Sequence, residues 1–333
     1  MNSSRSRLPQ VSNSPTDTGG ANENAQMGPI KWSTADGTKR RLGDWCHVHL
    51  PKFVIAPSLA ITLFVVYGFM LWTGWISFTT SRVMPNNEWA GLDQYVRVWR
   101  NPLWHIAVSN IFVFAGLFIS FSIVIGLILA VLLDQRIRFE GVLRTIYLYP
   151  MALSFIVTGT AWKWILNPGL GLEHLVQSYG FPNFHFNWLV DPNYAIYTVV
   201  IAGVWQSSGF VMAMFLAGLR GIDEEIIKAA RLDGAPMWRV YVRVILPMLA
   251  PTFMTAIVIL MHLSVKSFDL VVALTSGGPA NSTQLPATFM YTQTFSRNNL
   301  GVGAASAVMI FMTVAAVIVP YLYSELRRSG NAR

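Results

Sequence analysis

The sequence predicts an all-α membrane protein with six transmembrane helices. Three observations carry that expectation. The 333-residue chain is 53% apolar and only 12% charged, about half the charged share of an ordinary soluble domain. Its mean hydropathy is +0.45. Long runs contain no Asp, Glu, Lys or Arg: 53–81, 101–133, 145–162, 192–219, 244–265, 270–296 and 298–324. A helix of about 20 apolar residues crosses about 30 Å of hydrocarbon, and open sheet cannot satisfy its backbone in lipid. A disordered protein, a disulfide scaffold and an ordinary soluble enzyme are excluded.

Residues 1–45 are rich in Ser, Asn, Gly, Thr and Pro and read as a disordered cytoplasmic tail. They do not read as a signal peptide, because the first apolar run begins near residue 50 and is too long for one. The transmembrane domain is expected over 46–328, with spans near 53–79, 106–133, 145–167, 195–219, 248–275 and 301–324. The runs 244–265 and 270–296 belong to one helix and the loop after it. Lys266 and Asp269 interrupt that helix near its far end, and Ser276–Gly277–Gly278–Pro279 closes it. The single cysteine, Cys46, rules out an internal disulfide, and no cluster has metal-ligand spacing. The 12 Trp residues fall mostly near span ends, as interfacial belts do.

Basic residues fix the expected orientation. With the N-terminus in the cytoplasm, the inside segments hold 18 of the 24 Lys+Arg and the outside segments 4. Without the long tail the bias is still 11 against 4, so both termini are expected inside. The net charge of +8 is therefore a topology signal and not a nucleic-acid surface. The outside segment 168–194 has no basic residue but carries Phe181, Phe184, Phe186 and Trp188. It serves either as a surface for a partner or as a solvated cover.

The inside loop 220–246 is the most informative segment. Asp223 is positioned as an N-cap, with Glu224 and Glu225 in the first turn. Ile222 and Ile227 have hydrophobic-staple spacing, and Gly234 is a C-terminal stop. A short surface helix over 224–232 follows. Ala229, Ala230, Gly234 and Ala235 give it a smooth face for close approach.

This loop resembles the "EAA" motif of binding-protein-dependent ABC importer permeases. Ala229, Ala230, Asp233, Gly234, Ala235, Tyr241, Leu246 and Pro247 fall at the motif's spacing, while Lys228 stands where the pattern has Glu. Lys266–Pro279, Tyr147–Pro150, Trp162–Gly169 and Pro320–Arg327 are similar to the carbohydrate branch, nearest to glucose/mannose-type permeases. The resemblance covers roughly 50–328. It implies a type I importer permease fold in a bacterial inner membrane, with a cytoplasmic coupling helix. It also implies a heterodimer with a second homologous permease, two ATPase subunits and a periplasmic sugar-binding protein. Lys228, Ala229, Ala230, Asp233, Gly234 and Ala235 would then form the ATPase-coupling site, with the Asp233 side chain bonding nearby N–H groups to hold the turn.

The chain has no Gly-x4-Gly-Lys-Ser/Thr, so it cannot cradle ATP itself. ATP and Mg belong to the partner ATPases, and no cofactor, metal or nucleic acid is expected on this chain. The leading function is half of an ATP-driven translocation pathway for a monosaccharide such as glucose. Importers of another polyol, oligosaccharide or glycerol-phosphate-like substrate are the alternatives. A secondary transporter would need ion-coupling carboxylates in its spans, and Asp269 is the exception among nearly carboxylate-free helices. An intramembrane enzyme would need a reactive pair. His262 and Asp269 are seven residues apart, and His262 reads as a packing or pore-lining residue.

The resemblance places sugar contacts before Phe268 and before the Gly-Gly-Pro turn. Ser264 and Ser267 share one face of span five, and Lys266 and Asp269 a neighbouring face, where they are expected to pair. Trp205, Gln206, Ser207 and Ser208 of span four form a second candidate wall. The competing role for the serines is bonding to their own helix carbonyls.

Overall fold

A computed structural model describes residues 37–135 and 138–331. Most of the expected tail, 1–36, lies outside the described residues. Two compact units divide the chain between Leu63 and Phe64. Among the described residues, the first unit holds the N-terminal part of α1, Gly37–Ile76. The helix thus starts within the expected tail, where Lys39, Arg40, Arg41 and Leu42 are good helix formers.

The second unit holds the remaining helices. In order these are α2 Asp93–Arg100, α3 Pro102–Asp134, α4 Glu140–Leu148, α5 Phe155–Ile165 and α6 Leu172–Ser178. Then come α7 Ala195–Arg220, α8 Glu224–Leu232, α9 Met237–Val240, α10 Leu246–Met248 and α11 Ala250–Val265. The chain closes with α12 Phe268–Leu274, α13 Pro286–Tyr291 and α14 Leu300–Asn331. Among the described residues, four helices are long and apolar enough to cross a membrane: Ile55–Ile76, Pro102–Asp134, Ala195–Arg220 and Leu300–Pro320. The count reaches six if each of two bent helix pairs is one span.

The two bent pairs fall at the spans expected near 145–167 and 248–275, each of which is broken. The first pair, Glu140–Ala152 and Phe155–Ile165, bends by 101°. Pro150 cannot donate to a helical ladder, and a 3₁₀ turn Tyr149–Ala152 replaces it. Ser154 then restarts the helix, its hydroxyl accepting from the Val157 N–H at 3.3 Å. The second pair, Met237–Met248 and Ala250–Val265, bends by 64° between Pro247 and Pro251. A further break separates α11 from α12 at Lys266–Ser267.

Helices α3 and α7 run parallel and form the centre of the unit. Phe118 faces Gly203, and Gly126 lies so close to α7 that a Cβ there would be 2.6 Å from Val211 Cγ1. Small residues let helices approach where lipid supplies no drive for association. At Gly209 the approach is tighter still: a Cβ would overlap the Tyr147 carbonyl oxygen at the end of α4. Phe114, Phe118, Met212 and Phe215 are buried in this core. At one end, Asn110 of α3 donates from Nδ2 to the carbonyls of Ser282 (2.8 Å) and Gln284 (3.0 Å). It holds a loop whose Ser276, Ala280 and Asn281 adopt positive φ. At the other end, the Arg220 guanidinium at the close of α7 pairs with Glu140 at the start of α4.

Candidate functional site

Helix α8 occupies the span expected from its sequence. Asp223 N-caps it, its carboxylate accepting from the Glu225 N–H at 2.9 Å. Its end is a Schellman motif with Gly234 in the left-handed region at φ +76°. The Ala235 N–H reaches the Ala230 carbonyl (3.3 Å), and the Gly234 N–H reaches that of Arg231 (3.0 Å). The turn is therefore held by backbone bonds. The Asp233 side chain is exposed and makes no such bond among the described residues, which corrects the expected role of its carboxylate. Ile222, Ile227, Ala230, Ala235 and Tyr241 pack inward on the core. Lys228, Ala229, Asp233 and Gly234 are exposed, as is Leu232 at 89%. Lys228 pairs with Glu224 one turn back at 3.2 Å, in the favourable Glu-before-Lys order.

The candidate sugar residues separate into buried and exposed sets. Ser264 and Ser267 are buried, and their hydroxyls donate to the carbonyls of Met261 (2.7 Å) and Leu263 (2.8 Å). Lys266 and Asp269 are both exposed. They do not pair: among the described residues the ion pairs lie elsewhere. The reason is the helix break between them, which removes the i,i+3 geometry the expectation assumed. In span four, Gln206 is buried and donates from Nε2 to the Leu153 carbonyl at 2.7 Å, tying α7 to the bend before α5. Ser207 is also buried. Trp205 and Ser208 line a cavity of about 1150 Å³ between α3, the end of α4 and α7. None of the four span-five residues lines it.

An aromatic row stands at the cavity's edge. Phe186 stacks on Trp188 with centroids 5.1 Å apart, and Trp188 stacks on Tyr194 at 5.7 Å. Tyr197 meets Trp188 edge-on at 6.3 Å. The start of the row is pinned by Glu173 of α6, which is largely buried. Its carboxylate accepts from His185 Nδ1 (3.1 Å), from the Phe186 N–H (3.4 Å) and from Gln177 Nε2 (3.4 Å).

Residues 122–328 match the family described as binding-protein-dependent transport system inner membrane component. The chain belongs to this family. It is 39% identical over 278 residues to a probable ABC transporter permease protein of Pyrococcus horikoshii, covering 82% of this chain and 95% of that protein. It is 36% identical over 271 residues to the xylose/arabinose import permease protein XacH of Haloferax volcanii, covering 80% and 84%. A chain from the crystal structure of a bacterial ABC transporter involved in importing the acidic polysaccharide alginate superposes with a TM-score of 0.73 at 20% identity. That match covers 86% of this chain and 99% of the other, and it shows a shared fold.

In this permease several connecting residues had no local signal in the sequence. Asn110 lies 172 residues from Ser282, and Glu173 lies 12 from His185. The Glu224–Lys228 pair is different, because its i,i+4 spacing is local. The hydrogen bond from His185 lowers the Glu173 pKa below the ordinary glutamate value; burial opposes this, and the Phe186 N–H adds to it. A lowered folded-state pKa adds stability that is complete above the unfolded value and is lost as pH falls through the folded one. Hydrogen exchange of 180–190 is therefore expected to quicken on acidification in the native permease. A Glu173→Gln variant should show fast exchange already at neutral pH and little further change. A pH-independent, slow-exchanging segment in the native chain would contradict this.

Proposed function

We propose that this permease forms half of the pathway of an ATP-driven importer for a small neutral sugar. Its proposed partners are a second homologous permease, two ATPase subunits and a periplasmic binding protein, with both termini in the cytoplasm. The observation that carries the reading is the exposed outer face of α8. Ala229, Leu232, Asp233 and Gly234 form a smooth surface on a helix rigidly capped at both ends. Such a helix transmits displacement into α7 and α11 as a body. The sugar class is supported by the import role in the name of the Haloferax relative.

A pathway between two subunits is lined by residues exposed on each one alone. Lys266, Asp269 and Trp205 meet that condition, and Ser208 beside them is half-buried. Ser264, Ser267, Gln206 and Ser207 stand behind them as support. A hydrogen bond from a sugar hydroxyl to a charged group is worth about 1.5–3 kcal/mol. Asp269→Asn and Lys266→Gln are thus expected to raise the half-maximal uptake concentration by roughly tenfold. Ser264→Ala with Ser267→Ala should change it less than about twofold, since those hydroxyls are already bonded within the helix. The reverse ranking would move the pathway to the serine face.

Reconstitution of the four-protein assembly tests the whole reading. ATP-dependent uptake of labelled glucose, xylose or arabinose is expected. Uptake without the ATPase would make the chain a secondary transporter, and selective uptake of glycerol phosphate would change the substrate class. On a Cys46→Ser background, cysteine at 185 should react with an impermeant reagent from outside and cysteine at 330 should not. Reaction at 330 would invert the topology.

A further inference from the structure

A cavity of about 210 Å³ lies between α8, the end of α3, the end of α7 and the turn that follows α9. Leu219, Ile222 and Ile227 give it an apolar floor, while Asp134 of α3, Arg231 of α8 and Tyr241 supply polar walls. A polar-walled space of this size holds water, and water yields under load where packed side chains would not. The two charges on its walls are opposite in sign. Among the described residues neither is in an ion pair. The Arg231 guanidinium instead donates from Nε to the Met237 sulfur at 3.1 Å. A thioether is a weak acceptor, and a carboxylate is a much stronger one for a guanidinium. Asp134 is half-buried at the last residue of α3, and Arg231 is exposed in the last turn of α8.

We propose that Asp134 and Arg231 are positioning residues that pair across this cavity when the ATPase presses on α8, and that the pair carries the load from α8 into α3. The inference rests on the ATP-driven importer reading above. Helix α8 is tied at its start, where the chain leaves α7 at Gly221 and Ile222 packs on the core. Near its far end only the small Ala230 and Ala235 side chains reach the core, beside the cavity. Load on the exposed Leu232 and Asp233 therefore first tips α8 into the water-filled space. Water leaves, and Arg231 exchanges the Met237 sulfur for the Asp134 carboxylate. One weak hydrogen bond breaks, a charge-assisted one forms, and no proton is transferred. The pair then stops the tipping. Further load passes to α3 and α7, which the close approaches at Gly126 and Gly203 join as one body.

The test uses the assembled importer in lipid vesicles, with whichever of D-glucose, D-xylose and L-arabinose the native assembly imports. ATP hydrolysed per sugar imported is the readout, because a merely structural role would lower abundance without changing that ratio. Asp134→Asn and Arg231→Gln should each raise the ratio about two- to fivefold. Asp134→Glu, which keeps the carboxylate, should stay near the native ratio. Exchanging the charges, Asp134→Arg with Arg231→Asp, should bring the ratio most of the way back. An exchanged chain in which the two single effects simply add would show that the charges act separately and would overturn the proposal. A loss with Arg231→Gln that Asp134→Asn does not share would assign Arg231 to the ATPase surface and also overturn it. A second measurement does not depend on the exchanged chain folding. With Asp134→Cys and Arg231→Cys on the Cys46→Ser background, a short bifunctional thiol reagent should link the two positions severalfold faster with ATP and vanadate than without nucleotide. Equal rates would rule out the closure. No ATP-driven import of any of the three sugars by the native assembly would instead remove the importer reading, and the pair's role with it.

Discussion

Replacing Gly234 with valine is expected to leave the permease in the membrane at near-normal abundance and to reduce import to near background. Gly234 has φ +76°, where a Cβ costs about 1–2 kcal/mol and a β-branched side chain more. No atom lies within 4 Å of the site a Cβ would occupy. The penalty is therefore conformational and local, not a collision that would unfold the protein. The cheapest relief is to unwind the last turn of α8. That breaks the two backbone bonds from Gly234 and Ala235 and moves Leu232 and Asp233, which the ATPase is proposed to grip. A shift of 1–2 kcal/mol changes a two-state population about 5- to 30-fold. Gly234→Asn is the informative control, because asparagine tolerates the left-handed region. It should keep most of the uptake. Equal uptake by the valine variant and the native chain, at matched abundance, would remove the capped turn from the coupling mechanism.

A second large effect is expected at Gly209, by the opposite route. A Cβ there would overlap the Tyr147 carbonyl oxygen, and backbone cannot swing aside as a side chain can. Alanine would force α4 and its 3₁₀ turn away from α7. The Gln206–Leu153 bond, three residues away along α7, depends on the same contact. Overpacking typically costs about 1–3 kcal/mol, and this site should fall at the upper end or beyond. Membrane abundance and the melting temperature in detergent should both fall steeply for Gly209→Ala. Gly116→Ala, with no atom within 4 Å of the added carbon, should change neither. Import lost at full abundance and stability would instead assign Gly209 to the pathway.

Much of this permease was legible in the sequence because the relevant physics is local. Charge-free runs mark the apolar segments, since lipid penalises charge wherever it falls. The Asp223 cap and the Gly234 stop were readable for a related reason. Each is decided by one residue's side chain or φ and by backbone partners within five positions. Even the breaks in spans three and five had local causes, in Pro150, Ser154, Pro247 and Pro251. Their 101° and 64° angles did not, because a proline frees a helix to bend and only its neighbours choose how far.

What the sequence could not decide is which side of each helix faces protein. In a soluble helix, polar residues mark the outer face. In α3, apolar residues surround the axis, because a lipid tail and a protein core are equally hospitable to leucine. Tertiary packing alone placed Ser264 and Ser267 inside and Lys266 and Asp269 outside. It also divided Gln206 and Ser207 from Trp205 and Ser208, although all four are consecutive. The same holds for Asn110 on the Ser282–Gln284 loop and Glu173 beneath Phe186. Hydropathy determined that this chain enters a membrane and where. Close approach at glycine, and hydrogen bonds that span up to 174 residues, determined which surfaces were left to meet a substrate.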